Sequence, residues 1–305
     1  MAKATAAVIG LGNMGQGIAT NLAKAGFPTV VWDVDPKALT RFKKMKSVSV
    51  AEPGDMAAQC SIIYLVVPAS SEIDAMLKGK SGILANAKKN LILFDVTTSD
   101  PTYTKKLAKR ALKKGVGYLD AGMSGGATGA DKGILTLMVG GDKKVFNRSK
   151  KFCEAIGDKL FHVGPSGAGH TLKLVHNMVC HANFLTLCQA GRMAEKSGIA
   201  LSDMIDVFNT ANARSYISQF RFPKHILSKK WDARSRVYNL NKDLLMAVDL
   251  SKKLKVDASM GQGTSNFLKS AMSIGMSEMD FSLLYRDFDK ITRPKVKNTG
   301  SKQKK

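Results

Sequence analysis

Three side chains that can move or orient a proton occur at helical spacing in the middle of the chain. Lys173, His176 and Asn177 are three and four residues apart, so on a helix they share one face. Gly167 and Gly169 precede them and would allow another group to approach closely. An amine, an imidazole and an amide on one helix face are suited to acid–base chemistry on a bound small molecule.

A glycine-dense segment between residues 120 and 141 offers a second kind of chemistry. Its central residues, Ser124, Gly125 and Gly126, place one hydroxyl group beside flexible backbone. Such a run can direct the hydroxyl and several backbone N–H groups at one anion. The segment therefore predicts a nest for a carboxylate group.

A turn near the N-terminus has the spacing of a dinucleotide-binding loop. It joins a strand-like run to a helical pattern and contains Gly10, Leu11, Gly12, Asn13, Met14 and Gly15. In that context the first glycine permits a tight turn, the second lets the backbone approach a pyrophosphate, and the third lets the helix pack closely. The helix N-terminus supplies N–H groups for the phosphates. A dinucleotide site is expected, and a purely structural turn is the alternative.

An acidic residue follows the predicted second strand at a distance suited to ribose recognition. Asp33 lies 23 residues after Gly10, close to the roughly 20 residues of the motif. Its carboxylate could bind both ribose hydroxyls and would repel a 2′-phosphate, and Val34 stands where an arginine would favour one. NAD is therefore expected rather than NADP. Alternatively, Asp33 caps the next helix, a role that Asp35 before Pro36 could fill equally well.

The elements that must position these groups divide the chain into two halves. Up to about residue 165, apolar β-rich runs alternate with helical patterns, which predicts an α/β Rossmann-type domain with a doubly wound parallel sheet. After residue 169 only helical patterns remain, which predicts an all-helical domain. The predicted strands are Ala6–Ile9, Thr29–Trp32, Ser61–Val67, Leu91–Asp95, Val116–Leu119, Ile134–Val139 and Lys159–Val163. The predicted helices include Asn13–Ala25, Pro101–Lys114, His170–Lys196, Ser202–Thr210, Asn241–Lys255 and Gln262–Ser273.

These patterns give a domain plan of 1–165 for the dinucleotide-binding domain, 166–289 for a helical substrate and oligomerisation domain, and 290–305 for a tail. The tail carries +7 of the formal net charge of +23 and has no acidic residue, so it is predicted to be disordered. A strongly basic chain favours anionic partners. Nucleic acid is expected only as a nonspecific contact of the tail.

Composition limits the class of protein further. The chain of 305 residues is 44% hydrophobic and 23% charged, which is ordinary for a folded globular protein. Its four cysteines form no CxxC pair, so neither a disulfide framework nor a zinc ribbon is indicated. No run approaches the roughly 18 apolar residues of a membrane-spanning helix, and no export signal is evident. A cytoplasmic protein without membrane association is expected.

Several of these segments together resemble the β-hydroxyacid dehydrogenase family, which includes 3-hydroxyisobutyrate dehydrogenase, tartronate semialdehyde reductase and 6-phosphogluconate dehydrogenase. The resemblance extends from about Ala6 to Tyr285. Its motifs are Gly10–Gly15, Val66-Val67-Pro68, Asp95-Val96-Thr97-Thr98 with Pro101, Ser124-Gly125-Gly126, Lys173 with Asn177, and Lys242-Asp243-Leu244. The resemblance implies hydride transfer between a nicotinamide cofactor and a small 3-hydroxy acid, which is interconverted with its semialdehyde or keto acid.

The resemblance also implies roles on the cofactor side of the site. Val67, Pro68 and Thr98 would border the nicotinamide. Lys242 would reach cofactor or substrate from the helical domain.

On the substrate side, the loop Ser124–Gly126 would hold the substrate carboxylate, with His176 among the substrate-binding residues. Lys173 would be the general acid/base and Asn177 would orient the substrate. A lysine can serve as a base where burial or a neighbouring cation disfavours its charged form.

The sequence departs from simple members of this family in an informative way. His176 stands where most have a second asparagine, which is similar to the 6-phosphogluconate dehydrogenase branch. That branch has a glutamate and a tyrosine where this chain has Cys180 and His181, so no decarboxylation is expected. Asn239 and Asn241 are polar where residues flanking the motif lysine are usually apolar.

Several alternatives remain open from sequence. The protein could be an NADP-preferring semialdehyde reductase, or a catalytically idle dinucleotide-fold module that binds anionic partners. His176, Cys180 and His181 lie close enough on a helix to suggest zinc, but His181 points away and a fourth ligand is missing, so no metal is expected. Since family members are typically dimers or tetramers, a homo-oligomer is expected.

Overall fold

Eight strands form one sheet in the computed structural model, which describes residues 4–293. The strands are β1 (Ala6–Ile9), β2 (Thr29–Trp32), β3 (Val48–Val50), β4 (Ile62–Leu65), β5 (Ile92–Asp95), β6 (Gly117–Ser124), β7 (Leu135–Gly141) and β8 (Gly157–Gly164). Their order across the sheet is β3-β2-β1-β4-β5-β6-β7-β8. Chain order reverses between β1 and β4, so the predicted doubly wound α/β fold is confirmed.

The sheet is parallel except at one pair of strands. β6 and β7 run antiparallel, with Ser124 opposite Thr136, and at this pair the expectation of a parallel sheet is wrong. A parallel crossover needs about a dozen residues or more, whereas only ten residues separate Ser124 from Leu135. The connecting helix ends at Gly133, whose left-handed backbone turns the chain back at once.

The chain divides into two units, residues 1–176 and 177–305, which we call the sheet unit and the helical unit. The helices of the sheet unit are α1 (Gly15–Lys24), α2 (Pro36–Leu39), α3 (Pro53–Gln59), α4 (Ser70–Met76), α5 (Ile83–Asn86), α6 (Pro101–Leu112), α7 (Gly126–Lys132) and α8 (Lys143–Cys153). Asp35, Asp100 and Asp142 cap α2, α6 and α8 by accepting the backbone N–H two residues later. A carboxylate at this position pairs one of the N–H groups that every helix leaves open.

Apolar residues fill both faces of the sheet. In β1, Ala6 and Val8 join the core on one face, while Ala7 and Ile9 join the core on the other. Alternate residues of a strand point to opposite faces. A strand covered on both sides therefore reads as a continuous apolar run, which is why β1 was predicted with its observed bounds.

Helix α9 (Ala168–Lys196) spans the boundary between the two units. The helical unit also contains α10 (Leu201–Thr210), a π-helix (Ile217–Leu227), α11 (Val237–Lys253), α12 (Ser259–Ser273), α13 (Leu283–Arg286) and α14 (Phe288–Thr292). Its core includes edge-on aromatic contacts of Phe184 with Phe281 and of Phe222 with Tyr285. The predicted all-helical second half is confirmed. Although α9 has 29 residues, no helix among the described residues is long and apolar enough to cross a membrane.

The C-terminal end of the helical unit differs from its prediction. Residues 290–292 belong to α14, where Ile291 is buried and Lys290 Nζ lies 3.0 Å from an Asp287 carboxylate oxygen. The first three residues of the predicted tail thus belong to a helix that buries Ile291. Residues 294–305 of the predicted tail lie outside the described residues. The predicted domain boundary at residue 165 remains a prediction.

Candidate functional site

The turn between β1 and α1 brings three glycines together for different steric reasons. Gly10 has φ +91° and lies against the Val66 carbonyl group, so a side chain has no room there. A Cβ on Gly15 would overlap the Gly10 carbonyl oxygen. A Cβ on Gly12, by contrast, would meet no protein atom within 4 Å. The open space at Gly12, next to the first turn of α1, fits the pyrophosphate of a dinucleotide.

Asp33 is fixed beside this turn. Its carboxylate accepts the Leu11 N–H at 2.6 Å and the Asp35 N–H at 2.8 Å. The helix-capping alternative belongs to Asp35 instead, which accepts the Lys37 N–H at 2.9 Å. Asp33 therefore holds the glycine turn and keeps a half-buried carboxylate at its edge.

The segments that follow β4 and β5 lie at the same edge of the sheet. β4 neighbours β1, and β5 neighbours β4, so their carboxyl ends stand next to the glycine turn. Val67 Cγ1 would lie 3.4 Å from a Cβ on Gly10, which places this residue directly against the turn. Pro68 is exposed and Thr98 is half-buried.

Lys173 lies on α9 against strand β6. Its Nζ donates a hydrogen bond to the Met123 carbonyl oxygen at 2.6 Å. A Cβ on Gly122 would stand only 2.6 Å from Lys173 Cβ, so the glycine makes room for the lysine. Since Met123 directly precedes Ser124, the Lys173 amine reaches the start of the loop Ser124–Gly126.

The loop Ser124–Gly126 has exposed, glycine-dependent backbone. Gly125 has φ +122° and Gly126 has φ +61°, and a Cβ on Gly126 would point into open space. α7 begins at Gly126. The amine of Lys173, the half-buried Ser124 hydroxyl and accessible backbone thus come together in the sheet unit, a combination suited to an anionic group.

Within the helical unit, two predicted residues meet at one carboxylate. Asn177 Nδ2 donates to Asp243 Oδ2 at 2.7 Å, and Lys242 Nζ lies 3.6 Å from Asp243 Oδ1. Asp243 was noticed in the sequence only as part of a motif and not as a site residue. The sequence signal that could have identified Asp243 is an acidic residue directly after Lys242 among the apolar residues Leu240 and Leu244, all three of which α11 buries.

The remaining sequence candidates lie on α9. His176 is half-buried, three residues after Lys173 and one before Asn177. Cys180 and His181 follow on the next turn. Within residues 4–293, no three His, Cys, Asp or Glu side chains are grouped so that they could hold a metal ion.

Sequence reasoning missed a cluster of buried polar residues next to Lys173. Asp95, Asp120 and His170 are all fully buried. Burial raises the pKa of Asp95 above its usual value, while the nearby His170 acts in the opposite direction. Buried carboxylates are rare without partners, so Asp120 in the middle of an apolar strand was the available signal.

Two family models cover nearly the whole described chain. The NAD-binding domain of 6-phosphogluconate dehydrogenase matches residues 5–164, and the NAD-binding domain of NADP-dependent 3-hydroxyisobutyrate dehydrogenase matches residues 167–288. The chain belongs to the β-hydroxyacid dehydrogenase family. The predicted class, an NAD(P)-dependent 3-hydroxyacid dehydrogenase with a nicotinamide dinucleotide cofactor, is thereby confirmed at the level of the family.

Individual members of the family match along almost their full length. The chain is 28% identical over 284 residues to 2-(hydroxymethyl)glutarate dehydrogenase of Eubacterium barkeri, covering 93% of this chain and 94% of that protein. It is 30% identical over 288 residues to a probable mitochondrial 3-hydroxyisobutyrate dehydrogenase of Dictyostelium discoideum, covering 92% and 89%. A solved structure of Mycobacterium tuberculosis 3-hydroxyisobutyrate dehydrogenase with L-serine superposes with a TM-score of 0.86 at 25% identity, covering 94% and 99%.

Proposed function

We propose that this β-hydroxyacid dehydrogenase interconverts a small 3-hydroxy acid and its semialdehyde or keto acid with NAD, and that Lys173 is the general acid/base. The observation that carries the proposal is the contact of Lys173 Nζ with Met123 O at the start of the loop Ser124–Gly126. This contact supports the proposal because an amine, a group that can transfer a proton, lies next to a candidate carboxylate-binding loop.

Lys173 has the chemistry that oxidation of an alcohol requires. The bound nicotinamide supplies the hydride acceptor. The hydroxyl proton must leave at the same time, and a base within hydrogen-bond reach accepts it. An uncharged lysine amine retains two N–H groups and one lone pair. Lys173 therefore can keep its hydrogen bond to Met123 O while its lone pair accepts the substrate proton, and in the reverse direction it returns that proton.

The substrate carboxylate is proposed to bind the loop Ser124–Gly126. The Ser124 hydroxyl and the first N–H groups of α7 are its donors, and the positive end of a helix favours an anion. His176 is proposed as a further substrate-binding residue. Asn177 orients the substrate, and its hydrogen bond to Asp243 holds the amide in one orientation.

The dinucleotide is proposed to bind along the Gly10–Gly15 turn, with Val67, Pro68 and Thr98 bordering the nicotinamide and Lys242 reaching toward cofactor or substrate. Asp33 supports NAD, because its carboxylate stands at the turn and would repel a 2′-phosphate. The NADP alternative rests on Arg41, which contacts the Gln16 side chain on α1 and could bind the 2′-phosphate of NADP.

The proposal is tested by following reduced-nicotinamide formation. Wild-type protein is assayed with 3-hydroxyisobutyrate, L-serine and 2-(hydroxymethyl)glutarate against NAD and NADP. Lys173→Ala is expected to lower kcat by about 10²- to 10⁴-fold, the usual contribution of a general acid/base. NAD binding, measured by fluorescence titration with NADH, is expected to stay unchanged. A higher kcat/KM with NADP than with NAD would reverse the cofactor preference.

The matched control is Lys106→Ala, since Lys106 is exposed on α6 and its loss should leave turnover unchanged. Turnover that survives Lys173→Ala would remove this residue from the mechanism. Silence of the wild type on every substrate, with NAD still bound, would point first to a substrate outside this panel and second to the idle dinucleotide-fold module.

A homo-oligomer is also proposed. Val179 and Met193 are exposed apolar residues on α9, and apolar side chains of this kind are what a second copy would cover. Light scattering coupled to size exclusion measures the mass directly, and a mass of one chain at micromolar concentration would contradict the proposal.

A further inference from the structure

A buried polar cluster fixes the first turn of α9, one turn before Lys173. Asp95 ends β5 and Asp120 lies at the paired register position of β6. His170 lies on α9, and all three side chains are fully buried. Removing polar groups from water is unfavourable unless each one finds hydrogen-bond partners. The partners of these three side chains therefore show which elements of the fold they connect.

Asp120 caps α9 from a neighbouring strand. Its Oδ1 accepts the Gly167 N–H at 2.7 Å and its Oδ2 accepts the His170 N–H at 3.0 Å. The first N–H groups of a helix have no partner within the helix, and a carboxylate there also interacts favourably with the helix dipole. Because its two oxygens accept N–H groups three residues apart, the Asp120 carboxylate orients the first turn of α9 as well as capping it.

His170 ties the same turn to two other elements. Its Nδ1 lies 2.8 Å from Thr104 Oγ1 on α6, and its Nε2 lies 3.2 Å from the Asp95 carbonyl oxygen. Thr104 Oγ1 in turn donates to the Asp100 carbonyl oxygen at 3.1 Å. A carbonyl oxygen can only accept, so Nε2 donates to the Asp95 carbonyl oxygen. Through its two ring nitrogens His170 links α9 to α6 and to β5.

Asp95 is itself held in place by two donors. It accepts the Thr97 N–H at 2.9 Å and the Tyr118 hydroxyl at 2.7 Å. Its carboxylate lies 4.0 Å from His170 Nε2. Asp95, whose carbonyl oxygen accepts from His170, is thus held both by its strand and by two side-chain hydrogen bonds.

From this geometry we propose that Asp120 and His170 are positioning residues for Lys173. They hold the first turn of α9 on β6 so that Lys173 reaches Met123 O and stands beside Gly122. The inference rests on the proposed role of Lys173 as general acid/base. The Lys173 side chain is long and flexible, so its amine is only as well placed as the backbone that carries it.

The contact with Gly122 leaves little tolerance for a shift of the helix. The two residues approach so closely that even one methyl group on Gly122 would stand 2.6 Å from Lys173 Cβ. A displacement of about 1 Å at a reacting group can lower a rate by about a hundredfold. Loss of either anchor is therefore expected to act on catalysis through Lys173 and not on dinucleotide binding at the Gly10–Gly15 turn.

The test uses substitutions of buried residues by residues of similar size. Thr104→Val removes the hydroxyl that binds His170 Nδ1, and Thr104→Ser restores it. Asp120→Asn keeps the size but replaces one acceptor by a donor facing a backbone N–H. We expect kcat to fall about tenfold in Thr104→Val and about a hundredfold in Asp120→Asn. The serine variant should recover most of the rate, and the NADH dissociation constant should stay within about twofold of wild type.

A second readout reports on Lys173 without relying on turnover. Acetic anhydride labels lysine amines, and peptide mass spectrometry gives the labelling rate of Lys173 as a function of pH. We expect this pH profile to shift in Thr104→Val and Asp120→Asn and to return in Thr104→Ser. Thr102→Val, an exposed change of the same chemistry on α6, is the control and should change neither readout.

The outcomes separate the two proposals. An active Lys173→Ala variant contradicts the proposed function. An inactive Lys173→Ala variant combined with wild-type kcat and wild-type Lys173 labelling in folded Thr104→Val overturns the positioning inference alone. If Asp120→Asn fails to fold, the Thr104 pair still decides, because it changes a single buried oxygen atom.

Discussion

The Gly10–Gly15 turn and the surroundings of Lys173 belong to the same unit but are built in opposite ways. The turn is made of consecutive residues, and its proposed function depends on glycines, which have no side chain. The Lys173 region joins residues that are far apart in sequence, since its bond to Met123 spans 50 positions and the Asp120 cap spans 47 and 50. The comparison teaches that a proposed cofactor-binding turn can be built locally, whereas the placement of the proposed acid/base group, Lys173, depends on the packed sheet.

The glycines of the two regions also differ in whether an added Cβ would overlap other protein atoms. A Cβ on Gly15 or on Gly122 would overlap protein atoms, whereas a Cβ on Gly12 would not. Substitutions at these positions therefore distinguish packing from ligand binding.

The largest expected effect is loss of stability in Gly15→Ala. The new Cβ would overlap the backbone carbonyl of Gly10, which cannot move without distorting β1, so the unfolding free energy should fall by about 3 kcal/mol. Urea denaturation followed by circular dichroism measures it. In Gly12→Ala the unfolding free energy should change by no more than about 0.5 kcal/mol. Equal stability of the two variants would contradict the distinction between a glycine required by packing and one that leaves space for a ligand.

The next effect is loss of catalysis in Gly122→Ala. Its Cβ would press on Lys173 Cβ at 2.6 Å and on Met138 Cε at 3.1 Å. Displacement of the helix should lower kcat by about a hundredfold while NADH binding persists, as steady-state kinetics and fluorescence titration would measure. A variant with unchanged kcat would show that the close approach of α9 to β6 does not matter for the reaction.

A smaller effect is expected on cofactor affinity in Gly12→Ala. The added methyl group occupies the open space proposed for the pyrophosphate, so the NADH dissociation constant should rise about tenfold. Isothermal titration calorimetry measures it, with Gly263→Ala as the control, because Gly263 is exposed on α12 and a Cβ there meets no protein atom within 4 Å. Unchanged affinity would mean that the cofactor does not approach the backbone at this position.

The smallest effect concerns an ion pair away from both regions. Asp74 contacts Lys78 and Arg110, and the hydrogen bond from Lys78 is the main reason that the pKa of Asp74 is below its usual value. A carboxyl with a lowered folded-state pKa stabilises the fold above its unfolded-state pKa, and that stabilisation is lost as the pH falls.

Asp74→Asn should therefore lower the Tm at pH 7 by at most about 2 °C, because this pair is near the surface. The difference should shrink as the pH falls below about 3.8, the ordinary value for the group, and should vanish only below the lowered folded-state pKa. Differential scanning fluorimetry over pH measures it, with Asp158→Asn, an exposed carboxylate in the same unit, as control. A Tm difference that grows on acidification would contradict the prediction that the ionised Asp74 carboxylate stabilises the fold.

The sequence identified elements best where burial was uniform. β1 and β2 have the predicted bounds because both are short apolar runs covered on two faces. β3 was missed because it is a three-residue edge strand with exposed positions. β6 extends five residues beyond its prediction, since glycine and serine positions there are fixed by pairing with β7 rather than by propensity. The π-helix Ile217–Leu227 is not among the predicted helices, and it contains Pro223, a residue type that disfavours a helix interior.

The sequence by itself determined the α/β fold and the family, because both depend on periodicity or on motifs of adjacent residues. It predicted, by the same means, the positions at which chemistry is proposed to occur. Only the tertiary structure decided that β7 runs antiparallel, that Asp35 and not Asp33 caps α2, and that Asp243 holds Asn177. It also decided that Asp120 and His170 fix the start of α9. These contacts join residues that are distant in the chain, and buried polar groups choose their partners only when the folded backbone brings donors and acceptors together.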